Sequence, residues 1–267
     1  MSSMPQPGAE PADLERRFGA LRRLYGDAGY ARLRAARVAV VGVGGVGSWA
    51  AEALARCGVA GLVLVDLDHV AESNINRQVQ ALGATLGQSK VQALRERIAD
   101  IHPGCEVMAV EEFVEPGNWP ALLPVPVDAV IDACDQVRAK ASLAAWALQG
   151  AHRVVTVGAA GGKRLAHRVE VADLAAVTHD PLLAALRQRL RREHGAARQG
   201  EIGLRCVFSR ETVTQPGGAC DANDGSLNCH GYGSSVAVTA SFGMAAASEA
   251  LEQCLAPGLP PPPRGCL

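Results

Sequence analysis

Gly42, Gly44 and Gly47, with a further glycine at position 45, spell G-x-G-G-x-G between the β-branched run Val38 to Val41 and the helix-forming stretch Ser48 to Cys57. In that context the pattern predicts a phosphate-binding turn. Residues without side chains let anionic oxygens approach backbone amides, and the helix that follows adds the positive end of its dipole. Asp66 ends a second apolar run, Leu62 to Val65, where a carboxylate would accept hydrogen bonds from both ribose hydroxyls of a nucleotide. So far NAD and ATP are served equally. Beyond Asp66 come Asp68, then Asn74-Ile75-Asn76-Arg77-Gln78, then Gly87-Gln88-Ser89-Lys90. A dehydrogenase has no evident use for an asparagine, an arginine and a lysine gathered past the ribose. An enzyme that splits a triphosphate does, because fixed cations neutralise the phosphates and stabilise charge developing in the transition state. Asp132-Ala133-Cys134-Asp135 closes a fourth apolar run and is expected to put carboxylates where magnesium would bridge to phosphate oxygens. Read singly, Arg77 and Lys90 are solvated charges and Asp135 is a helix cap; jointly the set favours nucleotide chemistry.

The elements that must position these residues alternate. Strand-like runs at 38–41, 62–65, 107–110, 129–131 and 154–157 are separated by helix-compatible segments. A helix between two strands makes them parallel, so the pattern predicts an α/β fold, a doubly wound, mostly parallel Rossmann-like sheet. After Gly158 the rhythm changes. Strands are expected at 167–171 and 202–208 around a basic helix, 181–194, as a C-terminal elaboration with additional strands and helices. N-terminal helices are expected over 13–34, interrupted by Gly26 and Gly29. The stretch from 234 to 255 is apolar but rich in Ala, Ser and Gly and carries Glu249 and Glu252, which suits a buried or dimer-packing helix better than a membrane span. Residues 209–233 read as a long loop, functional or mobile. The expected organisation is a disordered stretch over 1–12 and a single domain over 13–255. That domain divides into N-terminal helices (13–36), a nucleotide-binding core (37–158) and a substrate-side elaboration (159–255), followed by a Pro-rich tail over 256–267.

The chain has 267 residues, 48% of them hydrophobic, and a formal net charge of −1, so a polyanion would have to be met by a local patch and not by global charge. The run Arg187, Arg189, Arg191, Arg192 and on to Arg198 is the candidate for a phosphate-facing surface, although a solvated helix face is the commoner meaning of such a run. Met1 to Arg17 is polar and Pro-rich, without the succession of a secretory signal, and the expected address is cytoplasmic. The eight cysteines form no C-x-x-C pair, so structural zinc is not expected and most thiols should be buried. Cys229 stands apart, in a glycine-rich loop before a helix whose dipole would favour thiolate.

The combination G-x-G-G-x-G, D-x-D, N-x-N-R-Q, G-x-x-K and D-x-x-D over residues 37–140 resembles the adenylation core of the ubiquitin-activating superfamily, shared with bacterial activators of sulfur-carrier proteins. That resemblance implies ATP with magnesium. Asp66 would hold the ribose, Asn74, Arg77 and Lys90 the phosphates, and Asp135 the metal, with Gln78 and Asp68 beside them. It also implies an arginine delivered from the N-terminal helices of a partner subunit, a role open to Arg17 or Arg23, and hence a homodimer. Arg16-Arg17-Phe18-Gly19, Arg23-Leu24-Tyr25-Gly26, Gly47-Ser48-Trp49-Ala50-Ala51-Glu52, Cys206-Val207-Phe208-Ser209 and Asn228-Cys229-His230-Gly231-Tyr232-Gly233 are similar to the tRNA threonylcarbamoyladenosine dehydratases within it.

The implied reaction activates the carboxylate of a threonylcarbamoyl group on tRNA by adenylation, after which a nucleophile of the same modification closes a ring with net loss of water. A thioester at Cys229 is one route and direct closure another; a sulfur-transfer (cysteine desulfurase) system is an implied partner. Stable membrane association is not expected. Two other readings use the same residues: a sulfur-carrier-activating enzyme, disfavoured by the missing paired cysteines, and an NAD-dependent oxidoreductase or dinucleotide sensor.

Overall fold

A computed structural model describes residues 12–214 and 232–256. Its centre is one seven-stranded sheet in the order β3-β2-β1-β4-β5-β7-β6. The strands are β1 (Arg37–Val41), β2 (Gly61–Val65), β3 (Glu106–Val110), β4 (Ala129–Asp132), β5 (Val154–Val157), β6 (Val169–Asp173) and β7 (Arg205–Ser209). All neighbours run parallel except β6, which pairs antiparallel with β7 at the edge. The helices are α1 (Leu14–Phe18), α2 (Ala20–Leu33), α3 (Gly47–Arg56), α4 (Lys90–Ile101), α5 (Val137–Gly150), α6 (Pro181–Glu193) and α7 (Val236–Leu255).

Alternation along β1 sets the two cores, because successive strand side chains point to opposite faces. Val38 and Val40 join Leu62, Leu64, Leu54 of α3, Ile98 of α4 and Phe242 of α7 on one face. Ala39 and Val41 join Val63, Val65, Leu143 of α5 and Leu186 of α6 on the other. Burial on both faces explains why the central strands read as unbroken apolar runs. Val41 aligns with Val65 of β2 on one side and Asp132 of β4 on the other. The chain therefore leaves the sheet at one level after three adjacent strands, at the point where strand order reverses and a crevice opens.

The N-terminal helices begin with Asp13, whose side chain accepts from the Arg16 amide. Gly26 breaks α2 with φ 70° and ψ 172°, whereas Gly29 stays helical and buried, so only one of the two expected interruptions is present. Helix α7 buries Val238, Phe242, Ala246 and Ala250 within the chain, against α3 and the sheet. Among the described residues no helix is long and apolar enough to cross a membrane.

Two strand boundaries differ from expectation, and one side chain accounts for the larger shift. A short 3-10 turn occupies Ala166–Arg168, so β6 starts only at Val169. β7 starts at Arg205 and not at 202 because the Asp173 carboxylate takes the amides that a longer strand would use. It accepts from Ile202 (2.9 Å), Gly203 (2.7 Å) and Leu204 (3.1 Å), and from Ala175 (2.8 Å) on its own side. Helix α6 follows as expected, with Asp180 accepting from the Leu183 amide and Pro181 opening the first turn. Most of the expected 209–233 loop, the 1–12 segment up to residue 11, and the tail from residue 257 lie outside the described residues.

Burial pushes the Asp173 carboxyl up, but the backbone donors outweigh it and hold the group below its ordinary value of 3.8. A carboxyl depressed on folding adds stability that is present above its unfolded value and is lost as pH falls through the folded one. Asp173→Ala is expected to lower stability by roughly 1–3 kcal/mol at pH 7. Urea unfolding of variant and wild type across a pH series checks this, and the gap between them should narrow as pH drops below 3.8.

Candidate active site

The turn after β1 is shaped by what its glycines lack. Gly42 has φ +82°, and a Cβ there would lie 2.9 Å from the Ala133 carbonyl oxygen and the Cys134 amide at the end of β4. A Cβ on Gly47 would sit 1.8 Å from the Gly42 carbonyl oxygen. Those two positions are demanded by the fold. Gly44 differs: a Cβ there would meet only Gln78 Nε2, at 3.9 Å, so this residue faces open space at the mouth of the turn. Gly45 carries the aliphatic stem of Arg77 and the methyl of Thr239 over it.

Asp66 is buried at the end of β2 and braces the turn. Its Oδ2 accepts from the Val43 amide (2.8 Å) and its Oδ1 from the Asp68 amide (2.9 Å). Burial raises its pKa, opposed by Lys90 and by those two donors. A carboxylate has about four acceptor positions, so half of its capacity is left for hydroxyl groups.

The segment between β2 and α4 folds back on itself. His69 and Ser89 form an antiparallel bridge, Val70 donates to the Gln88 carbonyl (2.8 Å), and the Lys90 amide donates to the Asp68 carbonyl (3.0 Å). This return places Lys90 Nζ 2.6 Å from Asp68 Oδ2, the lysine buried and the aspartate half exposed. Asn74 Oδ1 accepts from the Ala71 amide, which leaves its amide nitrogen for another partner. Arg77 Nη1 donates to the Ser73 carbonyl (2.5 Å) and to Asn76 Oδ1 (2.9 Å). The Arg77 carbonyl in turn accepts from Trp49 Nε1 (3.0 Å) and Thr239 Oγ1 (3.4 Å). Gln80 Nε2 donates to the Val43 carbonyl (2.9 Å) and to Gln78 Oε1 (3.2 Å), a second brace on the turn.

At the end of β4 the two carboxylates part company, and only Asp135, the residue the resemblance gives to magnesium, stays exposed. Asp132 is fully buried and paired with Lys140 Nζ at 3.0 Å. Asp135 is exposed and does not cap α5, whose first turn follows Gln136 with no side-chain cap. Its pKa is raised, chiefly because the surrounding chain partly desolvates the carboxyl, with Asp68 raising it further and Lys140 and Lys90 opposing. Asp135 thus shares a field with the Lys90–Asp68 pair. Among the described residues no three His, Cys, Asp or Glu side chains converge as a metal cage. The single carboxylate of Asp135 would be in keeping with magnesium, which is commonly held by one or two carboxylates together with phosphate oxygens and water.

A sequence profile of the ThiF family matches residues 17–263. The chain belongs to the ThiF family. It is 41% identical over 251 residues to the tRNA threonylcarbamoyladenosine dehydratase of Escherichia coli K12, covering 90% of this chain and 94% of that one. It is 36% identical to the molybdopterin-synthase adenylyltransferase of the same organism, over only 43% of this chain and 46% of the other. The crystal structure of the E. coli tRNA N6-threonylcarbamoyladenosine dehydratase in complex with ATP superposes with a TM-score of 0.82 at 40% identity, covering 92% and 97% of the two chains.

Outside the crevice, this ThiF-family chain keeps several candidate arginines occupied. Arg17 Nη1 donates to the Asp100 (2.9 Å) and Ile101 (2.7 Å) carbonyls and so caps the C-terminus of α4 in its own subunit. Arg23 is exposed and makes no side-chain hydrogen bond among the described residues, next to Leu24, which is 70% exposed. On α6, Arg187 donates to the Leu174 and Val177 carbonyls, Arg191 to those of Ala197 and Arg198, and Arg189 and Arg192 pair with Glu193. Cys229 lies outside the described residues. Sequence reasoning gave no role to Gln80, Trp49, Thr239 or Lys140. Trp49 stood only as part of the Gly47 to Glu52 string, and Lys140 left a trace as a lysine in register with the apolar stripe Leu143, Ala144 and Ala147 of α5.

The glycines separate affinity from folding. Gly44→Ala should leave the thermal midpoint unchanged while weakening nucleotide binding by about tenfold or more, because the methyl occupies the approach to the turn. Gly47→Ala should lower the midpoint sharply. Differential scanning fluorimetry with and without ATP reads both.

Proposed function

We propose that this chain is an ATP-dependent tRNA threonylcarbamoyladenosine dehydratase that acts in the cytoplasm as a homodimer. What carries the reading is the extent of the similarity. The RNA-modifying relative is matched along nearly its whole length, through the α6, β6 and β7 elaboration, whereas the molybdopterin-synthase adenylyltransferase is matched over less than half of this chain. The crevice agrees with it, since an arginine, a buried lysine and an aspartate gather beside the glycine turn, with no evident use in hydride transfer.

In this reading Gly44 and the first amides of α3 receive phosphate oxygens, and Asp66 accepts the ribose hydroxyls with its unused lone pairs. Asn74, Arg77, Gln78 and Lys90 surround the remaining phosphates, and Asp135 holds magnesium. Attack of a substrate carboxylate oxygen on the α-phosphorus of ATP would expel pyrophosphate and make that oxygen part of an AMP leaving group. Lys90, held in place by Asp68, and Arg77, held over Gly45, present positive charge where negative charge develops, so little reorganisation is needed at that moment. A nucleophile within the same modified nucleoside then closes the ring, losing its proton as the activated oxygen departs with AMP, and the net change is loss of water. Because closure is intramolecular, the protein's part is orientation and exclusion of water.

Arg23 is the N-terminal arginine that reaches the partner's nucleotide, because Arg17 is committed to α4. Arg198 and Arg192, at the exposed end of the α6 run, meet tRNA phosphates. Arg187, Arg189 and Arg191 support that surface from its carbonyls and ion pairs. A covalent role for Cys229 and docking of a cysteine desulfurase at it belong to the same reading, and the dehydration does not depend on either.

Nucleoside mass spectrometry of tRNA incubated with the protein, ATP and magnesium is expected to show the cyclic form growing at the expense of threonylcarbamoyladenosine. No mass loss, together with no ATP binding, would refute the reading. Arg77→Ala and Lys90→Ala should each lower turnover by about a hundredfold or more with the fold intact by circular dichroism. Arg23→Ala should lower turnover without changing stability, and Arg17→Ala should lower the thermal midpoint through the lost cap on α4.

A further inference from the structure

Lys140 and Asp132 form an ion pair with no solvent exposure on either side chain. Every polar atom of the pair is satisfied. Lys140 Nζ lies 3.0 Å from Asp132 Oδ1 and donates to the Asp132 carbonyl at 3.2 Å. Oδ1 also accepts from the Cys134 amide (3.3 Å) and thiol (2.9 Å), and Oδ2 accepts from Thr156 Oγ1 of β5 (3.2 Å). An ion pair wholly out of water is a poor means of stabilisation, since a well-packed apolar pair of similar volume often leaves stability unchanged or raised. What such a pair supplies is geometry, provided that something depends on the geometry.

Here something does. Asp132 is the last residue of β4 and Lys140 stands at the start of α5, so the pair ties the ends of the turn at residues 133–136. That turn carries Asp135, whose carboxyl lies within the field of the Lys90–Asp68 pair. Its other side lies against the nucleotide turn, for Ala133 O and Cys134 N are the atoms that leave Gly42 no room for a Cβ. A shift of the 133–136 turn would therefore move both the carboxylate and the glycine turn.

Resting on the nucleotide reading above, we propose that Lys140 is a positioning residue: its buried pair with Asp132 sets the turn that holds Asp135 in place for the divalent cation accompanying ATP. Lys140 touches neither nucleotide nor metal. It acts through the backbone of residues 133–135.

The test removes both charges together, so that neither is left stranded. In Asp132→Asn with Lys140→Met, circular dichroism and the thermal midpoint should stay near wild type. Calorimetric affinity for ATP in the absence of magnesium should fall by less than the magnesium response does, because the glycine turn keeps its braces from Asp66 and Gln80. The magnesium concentration that half-saturates the gain in ATP affinity should rise about tenfold, the scale of loss expected when a liganding group moves by a fraction of an ångström. A folded double variant with the wild-type magnesium response would overturn the proposal. Should the double variant fail to fold, Thr156→Val leaves the pair intact but removes one support of Asp132, and about a threefold shift in the same direction is expected. An unshifted response there would also overturn the proposal. Wild-type protein that binds no ATP at all would overturn the nucleotide reading and this one with it, whereas wild-type binding with unaltered variants defeats this one alone.

Discussion

The site rests on a steric absence. Because Gly47 carries no Cβ, the start of α3 can press against the Gly42 carbonyl, and the helix axis can begin directly over the end of β1. Everything polar in the crevice is then hung from that junction. Asp66 and Gln80 brace the turn through the Val43 amide and carbonyl, and the end of β4 fills the space beside Gly42. The amide dipoles at the start of α3 lie beside Arg77, whose aliphatic stem covers Gly45. A helix displaced by the width of a methyl group would aim those dipoles elsewhere.

The charges are themselves held by local bonds and not left to the solvent. Lys90 is returned to Asp68 by a folded-back segment, and Arg77 is tied at its carbonyl by Trp49 and Thr239 and at its guanidinium by Ser73 and Asn76. This pre-ordering matters for a catalyst of charge-separating chemistry, since groups already oriented need not be reoriented by the reaction. It also separates the crevice from the α6 surface. There the arginines are spent mostly on carbonyls and on Glu193, and the charge left exposed sits at the far end of the helix.

Much of this was legible from the amino acids. The parallel sheet and its switch point followed from unbroken apolar runs alternating with helical stretches, because strands covered on both faces have no polar face to show. The glycine turn and the charged residues after it were legible as a set. Less visible were features decided by side chains acting on backbone. Asp173 delays the start of β7 by taking the amides just before it, and no local propensity announces that. The D-x-x-D spacing could not say which carboxylate faces inward. The stripe containing Lys140 held the answer, since a lysine among core positions of a helix needs a buried anion nearby and Asp132 was the one at the strand end. Asn74 and Gln78 are similar: their types suggest ligand contact, yet the carbonyl oxygen of each already accepts a bond that shapes the chain.

Helix α7 has a bearing on how the molecule is made. It packs on α3, places Thr239 over Gly45 and bonds to the Arg77 carbonyl, and Gly243 lies against the carbonyl of Val46 at the entrance of α3. The glycine turn is therefore walled by residues that come far later in the chain. A nascent chain can pair its first strands early, but its crevice stays one-sided until α7 has been made. Long-range closure of this kind slows assembly, because the entropy of bringing distant segments together is lost before their contacts form. It also means that a polypeptide cut short before α7 would carry every signature residue of the nucleotide turn and still lack the wall that holds them.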